Sequence, residues 1–227
     1  HMYLILFDVD GTLVDSQHTI LHGLRVGFDA VGLEMPQREA ALSIVGRSLE
    51  EAFLDLVGPS HAGKVPAMAE AYRQSKIARR EQGLDVDPLY PGARAAIDRL
   101  HARDDVLLGI ATGKAMRGVR HMMETHDLNG RFVTFQPADT SPSKPHPDMV
   151  LRAMAETGAE PERTLMIGDT GFDMAMARAA GARAVGVTWG YHDHSRLADH
   201  GAERIIHTFG DLDSALQEIL KFDKETN

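Results

Sequence analysis

Five short, mostly apolar stretches along the chain each have the length of a β-strand, and amphipathic segments separate most of them. The first and fourth stretches are nearly continuous apolar runs, as expected of strands with both faces covered. Helical patterns lie between strands, one ending at Gly158 and another at Gly181. Strands that alternate with helices predict a parallel α/β sheet. The predicted strands are Tyr3–Val9, Val106–Ala111, Arg131–Phe135, Thr164–Gly168 and Ala184–Thr188.

One long segment breaks this alternation, because it carries helical periodicity and no convincing strand. Apolar residues in its first part recur every three or four positions, which predicts an amphipathic helix. Ser48 and Glu51 have the spacing of a capping box, which predicts a further helix start. We therefore predict an α/β core of residues 1–15 and 89–227, interrupted by an inserted all-α subdomain of residues 16–88.

Composition narrows the possible partners and locations of the protein. The 227 residues are 43% hydrophobic, which suffices for a buried core, and the formal net charge of −9 argues against a nucleic-acid partner. The absence of cysteine excludes a disulfide scaffold and thiolate chemistry. The apolar runs are too short to span a bilayer, and no signal peptide precedes the first strand. We expect a cytoplasmic monomer or homodimer with no membrane partner.

Four clusters of polar residues carry the candidate chemistry, and the first, second and fourth directly follow predicted strands. Ligands collect beyond the carboxyl ends of strands in parallel α/β sheets, so these clusters should converge. Carboxylates at the end of a buried strand are costly unless another group neutralises them. The clusters are Asp8-Val9-Asp10-Gly11-Thr12, Ile110-Ala111-Thr112-Gly113-Lys114, Ser143-Lys144-Pro145-His146-Pro147-Asp148 and Ile167-Gly168-Asp169-Thr170-Gly171-Phe172-Asp173.

These residue types fit the cleavage of a phosphate ester. Four aspartates would bring hard, negatively charged oxygen ligands together, which suits Mg²⁺. A protonated carboxyl could serve the leaving group, and a second carboxylate could attack phosphorus. Because coupled carboxyls titrate as a set, the residue types leave open which of them holds the proton. The aspartates are Asp8, Asp10, Asp169 and Asp173, and the groups that would hold the transferring oxygens are Thr112 and Lys144.

The four motifs, in this order and spacing, resemble those of the haloacid dehalogenase superfamily, specifically its members with a helical cap inserted after the first motif. The resemblance covers nearly the whole chain and implies a Rossmann-like core in which the Asp8 strand is central. It implies Asp8 as nucleophile and Asp10 as general acid and base. It further implies that Mg²⁺ is held by Asp8, Asp169 and the backbone carbonyl of Asp10. Asp173 would support the metal site, and the phosphate or substrate ligands would be Thr112, Gly113 and Lys144.

The resemblance implies a phosphatase that hydrolyses a small phosphorylated metabolite through an aspartyl-phosphate. The cap type and the run Gly-Val-Thr-Trp-Gly-Tyr after the last predicted strand look most like phosphoglycolate phosphatases. Arg47 precedes the helix that Ser48 is predicted to cap, so it could bind a second negative group of the substrate. The alternative is a solvated arginine that pairs with Glu50 or Glu51.

Other functions stay open at this point. A pyrophosphatase is one alternative, because pyrophosphate also carries a second negative group that Arg47 could bind. A sugar-phosphate phosphatase is another alternative. A β-phosphoglucomutase-like mutase shares the fold and the cap, but its members commonly carry Glu-Asp where this chain has Gly168-Asp169. A haloacid dehalogenase would not need Asp10. A catalytically idle binding module is disfavoured because every motif residue is retained.

For three further groups of side chains we favour a structural interpretation over a chemical one. Lys114 is predicted to be a solvated surface lysine. His192 and His194 have a spacing that metal ligands can show, but histidine pairs in polar loops usually lie on the surface. Methionines near the fourth motif are predicted to fill the core; they are Met166, Met174 and Met176.

Overall fold

A parallel β-sheet forms the centre of the structure, a computed structural model that describes residues 1–84 and 86–222. Within those residues the sheet has six strands in the order β3-β2-β1-β4-β5-β6, and every neighbouring pair is parallel. The predicted α/β fold with the Asp8 strand at its centre is confirmed, since β1 lies between β2 and β4. The strands are β1 (Tyr3–Phe7), β2 (Val106–Ala111), β3 (Thr134–Gln136), β4 (Thr164–Gly168), β5 (Arg183–Val187) and β6 (Arg204–Ile206).

Apart from one-residue shifts at the ends of β3 and β5, the strand predictions differ from the structure in three places. The sequence analysis missed β6, because this edge strand has three residues, begins with the exposed Arg204 and shows no alternation. The first strand ends at Phe7 rather than Val9, because the chain turns there and the Leu13 and Val14 N–H groups donate to the Val9 carbonyl. The third strand begins at residue 134 rather than 131, since residues 128–131 still form a turn.

Among the described residues between β1 and the next core element there are four α-helices, and we call them the helical segment. They are α1 (Gln17–Ala30), α2 (Arg38–Leu42), α3 (Leu49–Val57) and α4 (Val65–Glu81), with a 3₁₀ helix at Pro59–Lys64. The segment has its own hydrophobic cluster, in which Leu24, Phe28, Phe53 and Met68 are buried. This architecture agrees with an inserted helical unit; the boundaries at residues 16 and 88 stay a prediction.

The helical segment leaves and rejoins the core through two backbone stretches that pair with each other. The Asp15 N–H donates to the Pro88 carbonyl at 2.8 Å, and the Tyr90 N–H donates to the Leu13 carbonyl at 2.8 Å. Val14 and Leu89 form an antiparallel bridge between these bonds. The pairing fixes the helical segment close to the carboxyl end of β1.

Helices cover both faces of the sheet, so alternate residues of β1 enter two different hydrophobic clusters. Tyr3, Ile5 and Phe7 pack on one face, while Leu4 and Leu6 pack on the other. The predicted core role of the three methionines is confirmed, because Met166, Met174 and Met176 are fully buried. Of the helices in the described part of the chain, none is long and apolar enough to cross a membrane. The core helices are α5 (Ala93–His101), α6 (Met116–Thr125), α7 (Asp148–Thr157), α8 (Gly171–Ala179), α9 (His194–Asp199) and α10 (Leu212–Leu220), with 3₁₀ turns at Pro161–Arg163 and Phe209–Asp211.

Candidate active site

A buried cluster of three aspartates and one lysine lies at the carboxyl ends of β1 and β4. The Lys144 Nζ atom lies 2.9 Å from Asp8 Oδ1 and 2.6 Å from Asp173 Oδ1. One oxygen from each of Asp8, Asp169 and Asp173 lies within 4.8 Å of the other two. All four side chains are almost completely shielded from solvent. The structure therefore brings residues of three of the four sequence clusters together.

The electrostatics of this cluster favour an additional cation. Burial, with the nearby Asp173 carboxylate, raises the pKa of Asp8 to about 7 although Lys144 opposes the shift. Burial and the charges of Asp8 and Asp173 raise the pKa of Asp169 well above its ordinary value. Burial alone would lower the pKa of Lys144, but its two carboxylate partners raise it above the usual lysine value. Three carboxylates thus face a single ammonium group.

The hydrogen bonds of the carboxylate oxygens are also compatible with a bound divalent metal ion. Asp8 Oδ2 is buried and has no hydrogen-bond partner among the described residues. Asp169 is held in place on both oxygens, because Thr12 Oγ1 donates to Oδ1 at 3.0 Å and the Tyr191 N–H donates to Oδ2 at 2.9 Å. Hard oxygen donors with an unpartnered member are suited to an ion such as Mg²⁺. The cluster is therefore able to hold a metal.

Asp10 lies beside this cluster and pairs with a lysine that the sequence analysis misjudged. The Lys114 Nζ atom lies 3.2 Å from Asp10 Oδ1, and the lysine side chain is only 13% exposed. The prediction of a solvated Lys114 is wrong, because Gly118 leaves open the space over which the lysine stem folds. Burial raises the pKa of Asp10, but the charges of Lys114 and Lys76 outweigh burial and hold it below the ordinary aspartate value.

Thr112 and Gly113, at the end of β2, line a cavity between the core and the helical segment that Asp8 and Asp10 also line. Thr112 is buried, and its Oγ1 atom accepts a hydrogen bond from the Lys114 N–H at 3.0 Å. A Cβ atom on Gly113 would lie 2.6 Å from the carbonyl oxygens of Gly46 and Arg47. Glycine at position 113 therefore allows the loop before α3 to approach the core.

The Arg47 guanidinium contacts one backbone carbonyl and two carboxylates of the protein. It donates to the Lys144 carbonyl at 2.7 Å, and it pairs with Asp55 at 2.9 Å and with Glu51 at 3.3 Å. The pairing with Glu51 is the alternative that the sequence analysis had left open, whereas Glu50 pairs with another arginine. Arg47 also lines the cavity, and its predicted contact with substrate stays a prediction.

Ser48 begins α3, but its side chain does not form the capping box that was predicted with Glu51. Instead the Ser48 N–H donates to Ser143 Oγ at 2.9 Å, which joins the helical segment to the loop that carries Lys144. Ser48 Oγ is buried with no hydrogen-bond partner in the described part of the chain. The capping prediction is wrong because Ser143, a residue of the core, accepts the hydrogen bond from the Ser48 N–H that Glu51 would accept in a capping box.

His192 was predicted to be a surface residue, and this is wrong. It is 3% exposed; its Nδ1 atom accepts from the Gly171 N–H at 3.0 Å, and its Nε2 atom donates to the Ser43 carbonyl at 2.7 Å. The ring therefore bridges the start of α8 and the end of α2. His194 is exposed, as predicted. The only signal for His192 was its place in the loop after β5, the loop that also supplies the Tyr191 N–H to the aspartate cluster.

A cavity of about 440 Å³ lies between the core and the helical segment. Asp8 and Asp10 are among its lining residues, and Thr112 lines it from the core. Apolar side chains of α1 and of the loop before α3 line the opposite side. The cavity therefore gives a ligand direct access to the carboxylates at the end of β1.

A buried lysine among aspartates at strand ends, reached through such a cavity, is the arrangement of a hydrolase that acts on phosphate esters. Residues 5–187 match the family model described as haloacid dehalogenase-like hydrolase. The chain belongs to this family, and the predicted enzyme class of phosphatase is confirmed.

Curated relatives match nearly the whole chain, and three of them show the range of their names. "Probable phosphatase IndB" of Dickeya dadantii is 33% identical and aligns over 96% of this chain and 95% of its own length. Pyrophosphatase PpaX of Anoxybacillus flavithermus is 28% identical over 93% of this chain and 95% of its own length. Phosphoglycolate phosphatase of Salmonella typhimurium is 29% identical over 93% of this chain and 91% of its own length.

A solved structure agrees with the fold. The haloacid dehalogenase-like family hydrolase SP0104 from Streptococcus pneumoniae superposes with a TM-score of 0.80 at 25% identity. The superposition covers 95% of this chain and 99% of that one. Both the α/β core and the helical segment therefore have a counterpart in a protein of the same family.

Proposed function

We propose that the chain is a magnesium-dependent phosphatase that hydrolyses a small phosphorylated metabolite through an aspartyl-phosphate on Asp8. The observation that carries the proposal is the Asp8 carboxylate itself. Its Oδ1 atom is held by Lys144 at 2.9 Å, while its Oδ2 atom is buried and unpartnered among the described residues. A carboxylate fixed on one oxygen and open on the other is positioned to attack phosphorus.

Asp8, Asp169 and the backbone carbonyl of Asp10 would hold the metal ion, with Asp173 beside them. Bound Mg²⁺ would neutralise part of the negative charge that accumulates when an anionic substrate meets three carboxylates. Thr170 holds Asp173 Oδ2 by a hydrogen bond of 2.8 Å, so the Asp173 carboxylate keeps its position against Lys144. Lys144 would bind a non-bridging phosphate oxygen, together with Thr112 and Gly113.

Asp10 would move the protons. In the first step the Asp8 oxygen bonds to phosphorus, the ester P–O bond breaks, and the leaving oxygen takes a proton from Asp10. In the second step water attacks phosphorus, the Asp8–phosphorus bond breaks, and Asp10 takes the proton from water. The depressed pKa of Asp10 keeps this carboxyl ionised in the unliganded site, as a proton acceptor must be, so the anionic substrate would have to raise the pKa for Asp10 to donate a proton in the first step.

The local geometry favours a phosphatase over a phosphomutase. A Cβ atom on Gly168 would lie 2.3 Å from Asp173 Cγ, so the Asp173 carboxylate occupies the space that a larger residue at 168 would need. The Glu-Asp pair that is common in sugar-phosphate mutases would therefore displace Asp173 from Lys144.

The metabolite carries a second anionic group in this proposal, and phosphoglycolate is the first candidate. One relative is named phosphoglycolate phosphatase and another pyrophosphatase, so pyrophosphate is the competing candidate. Sugar phosphates form a third group. The proposal places the enzyme in the cytoplasm, on the ground that the chain has no cysteine.

The test is the release of inorganic phosphate from a panel that contains phosphoglycolate, pyrophosphate, hexose phosphates and an aryl phosphate. We expect turnover with Mg²⁺, none in excess chelator, and recovery when Mg²⁺ is restored. Asp169→Ala should raise the Mg²⁺ concentration needed for half-maximal rate or remove turnover. Full activity in excess chelator, or no phosphate release from any member of the panel, would contradict the proposal.

A further inference from the structure

The cavity above Asp8 is larger than a phosphate group with a two-carbon acid requires. Its volume of about 440 Å³ lies within the range of roughly 300–1,000 Å³ that is typical of pockets for drug-sized ligands. Part of its wall is apolar and faces the site from the helical segment. The apolar lining residues are Ile20, Leu24, Ile44, Val45, Leu49, Ala52, Tyr72 and Ile77.

The rest of the wall is rich in cationic side chains. Among the described lining residues there are six arginines and lysines and four carboxylates. Three of the cations have carboxylate partners already assigned: Arg47 with Asp55, Arg73 with Glu50, and Lys114 with Asp10. The remaining three are Lys76, Arg80 and Arg117.

Arg80 and Arg117 differ from the other cations of this wall. Neither of them forms an ion pair with any residue in the ranges 1–84 and 86–222. Arg80 belongs to α4, where Arg73, Lys76 and Ile77 also line the cavity; this spacing places the four on one face of the helix. Arg117 belongs to α6 of the core.

The Arg80 side chain extends from the helical segment to Gly118 in the core. A Cβ atom on Gly118 would lie 2.9 Å from Lys114 Cε and 3.2 Å from Arg80 Nη2. The missing side chain of Gly118 therefore leaves room for a lysine of the core and an arginine of the helical segment to converge. Arg117 is the neighbouring residue and lines the same cavity.

We propose that Arg80, Lys114 and Arg117 form a second anion subsite, and that the substrate is a phosphate monoester whose leaving group combines an apolar body with an anionic group. This inference rests on the proposed phosphatase function but departs from it on the substrate, because it replaces phosphoglycolate with a larger phosphate monoester. The apolar body would pack against the side chains of α1 and the loop before α3, and the anion would bind the guanidinium groups. Phosphoglycolate and pyrophosphate lack an apolar body and would leave that wall unfilled.

The test compares 4-carboxyphenyl phosphate with phenyl phosphate, which differ only in the anionic group, and with phosphoglycolate. We expect the wild-type kcat/KM to be highest for 4-carboxyphenyl phosphate, and at least about tenfold above that for phenyl phosphate, as expected for a hydrogen bond to a charged group. Arg80→Gln should bring the ratio of the two aryl substrates close to one, mainly through KM. The control is Arg120→Gln, because Arg120 is an exposed arginine of α6, the helix that carries Arg117, and does not line the cavity.

Gly118→Ala is a second variant that keeps every charge. Its methyl group would push Lys114 and Arg80 apart, while alanine favours a helix more than glycine does, so the variant should fold. We expect it to lower the same ratio. An unchanged ratio in both Arg80→Gln and Gly118→Ala would overturn the subsite, and a higher kcat/KM for phosphoglycolate than for 4-carboxyphenyl phosphate would overturn the apolar leaving group. Absence of Mg²⁺-dependent phosphate release from all three substrates would instead overturn the proposed function.

Discussion

In the core of this hydrolase, Lys144, Asp8 and Asp173 are buried together, and a strand end or a helix start fixes each carboxylate. In the helical segment, apolar side chains of α1 and long arginines and lysines of α4 face the cavity, which forms where two separately packed units meet. In the buried cluster of the core, nearly every polar atom has a hydrogen-bond or ion-pair partner. The helical segment instead borders an open cavity.

This contrast separates chemistry from recognition. A change in the buried cluster should abolish turnover or unfold the protein, because its members depend on one another. A change at Arg80 or Arg117 in the cavity wall should alter the choice of substrate and leave folding intact. Four predictions test the separation, from the largest expected effect to the smallest.

The largest effect is expected for Asp8→Asn. The amide is nearly isosteric with the carboxylate and cannot form the acyl phosphate, so kcat should fall by several powers of ten. The melting temperature should change little, since the substitution also relieves repulsion from Asp173. Phosphate release and thermal melting on the same preparation check both points. Retention of more than a tenth of the activity would show that Asp8 is not the nucleophile.

Lys144→Met should cost the most stability. Removing a buried cation leaves Asp8 and Asp173 without their partner, and breaking a buried pair costs about 3–5 kcal/mol in the free energy of unfolding. The matched control is Lys114→Met, where the pair with Asp10 is less deeply buried and its loss should cost less, about 1.5–3 kcal/mol. Urea denaturation measures both values. Equal losses would contradict the distinction between the buried cluster and the cavity wall.

His192→Ala tests the junction between the two regions. The imidazole joins the Ser43 carbonyl to the Gly171 N–H, so its loss leaves one buried and one partly buried backbone group unpaired and should cost about 1–3 kcal/mol. His194→Ala, at an exposed position two residues later, should stay within about 0.5 kcal/mol of the wild type. Thermal or urea unfolding compares them. If the two variants were equally stable, the bridge would contribute nothing to holding the helical segment on the core.

The smallest effect is expected for Arg47→Ala. Because the guanidinium is held by Glu51 and Asp55 and donates to the Lys144 carbonyl, its loss should disturb the lysine loop. We expect similar, several-fold decreases in kcat/KM for phosphoglycolate and for an aryl phosphate. A loss confined to phosphoglycolate would contradict this reading and would support the contact between Arg47 and the substrate that the sequence suggested.

The convergence of Asp8 and Asp169 could be predicted because the topology forces it, whereas the place of Lys144 followed from the resemblance to the haloacid dehalogenase superfamily. Parallel strands present their carboxyl ends at one edge of the sheet, so polar residues that directly follow apolar runs must meet there. The central position of the first strand was likewise predicted from the resemblance to the haloacid dehalogenase superfamily. β6 escaped prediction because a three-residue edge strand leaves no pattern that differs from a loop.

The surroundings of Lys114, His192 and Arg80 could not be predicted for a different reason. Each of these side chains is placed by a partner distant in sequence: Asp10, Ser43 and the space above Gly118. Their own sequence neighbourhoods are those of ordinary polar residues. Only the docking of the helical segment on the core decides that they face a cavity or an interface rather than solvent.

The central claim, that Asp8 forms the covalent intermediate, can be tested most directly by trapping it. Enzyme that is turning over substrate with Mg²⁺ is quenched in acid, reduced with borohydride and digested, and the peptide that contains residue 8 is analysed by mass spectrometry. An aspartyl-phosphate at this position is reduced to homoserine, whereas a free carboxylate is not. We predict homoserine at position 8 in the wild type and none in Asp8→Asn or without substrate. Homoserine at another aspartate, or at none while turnover continues, would contradict the account.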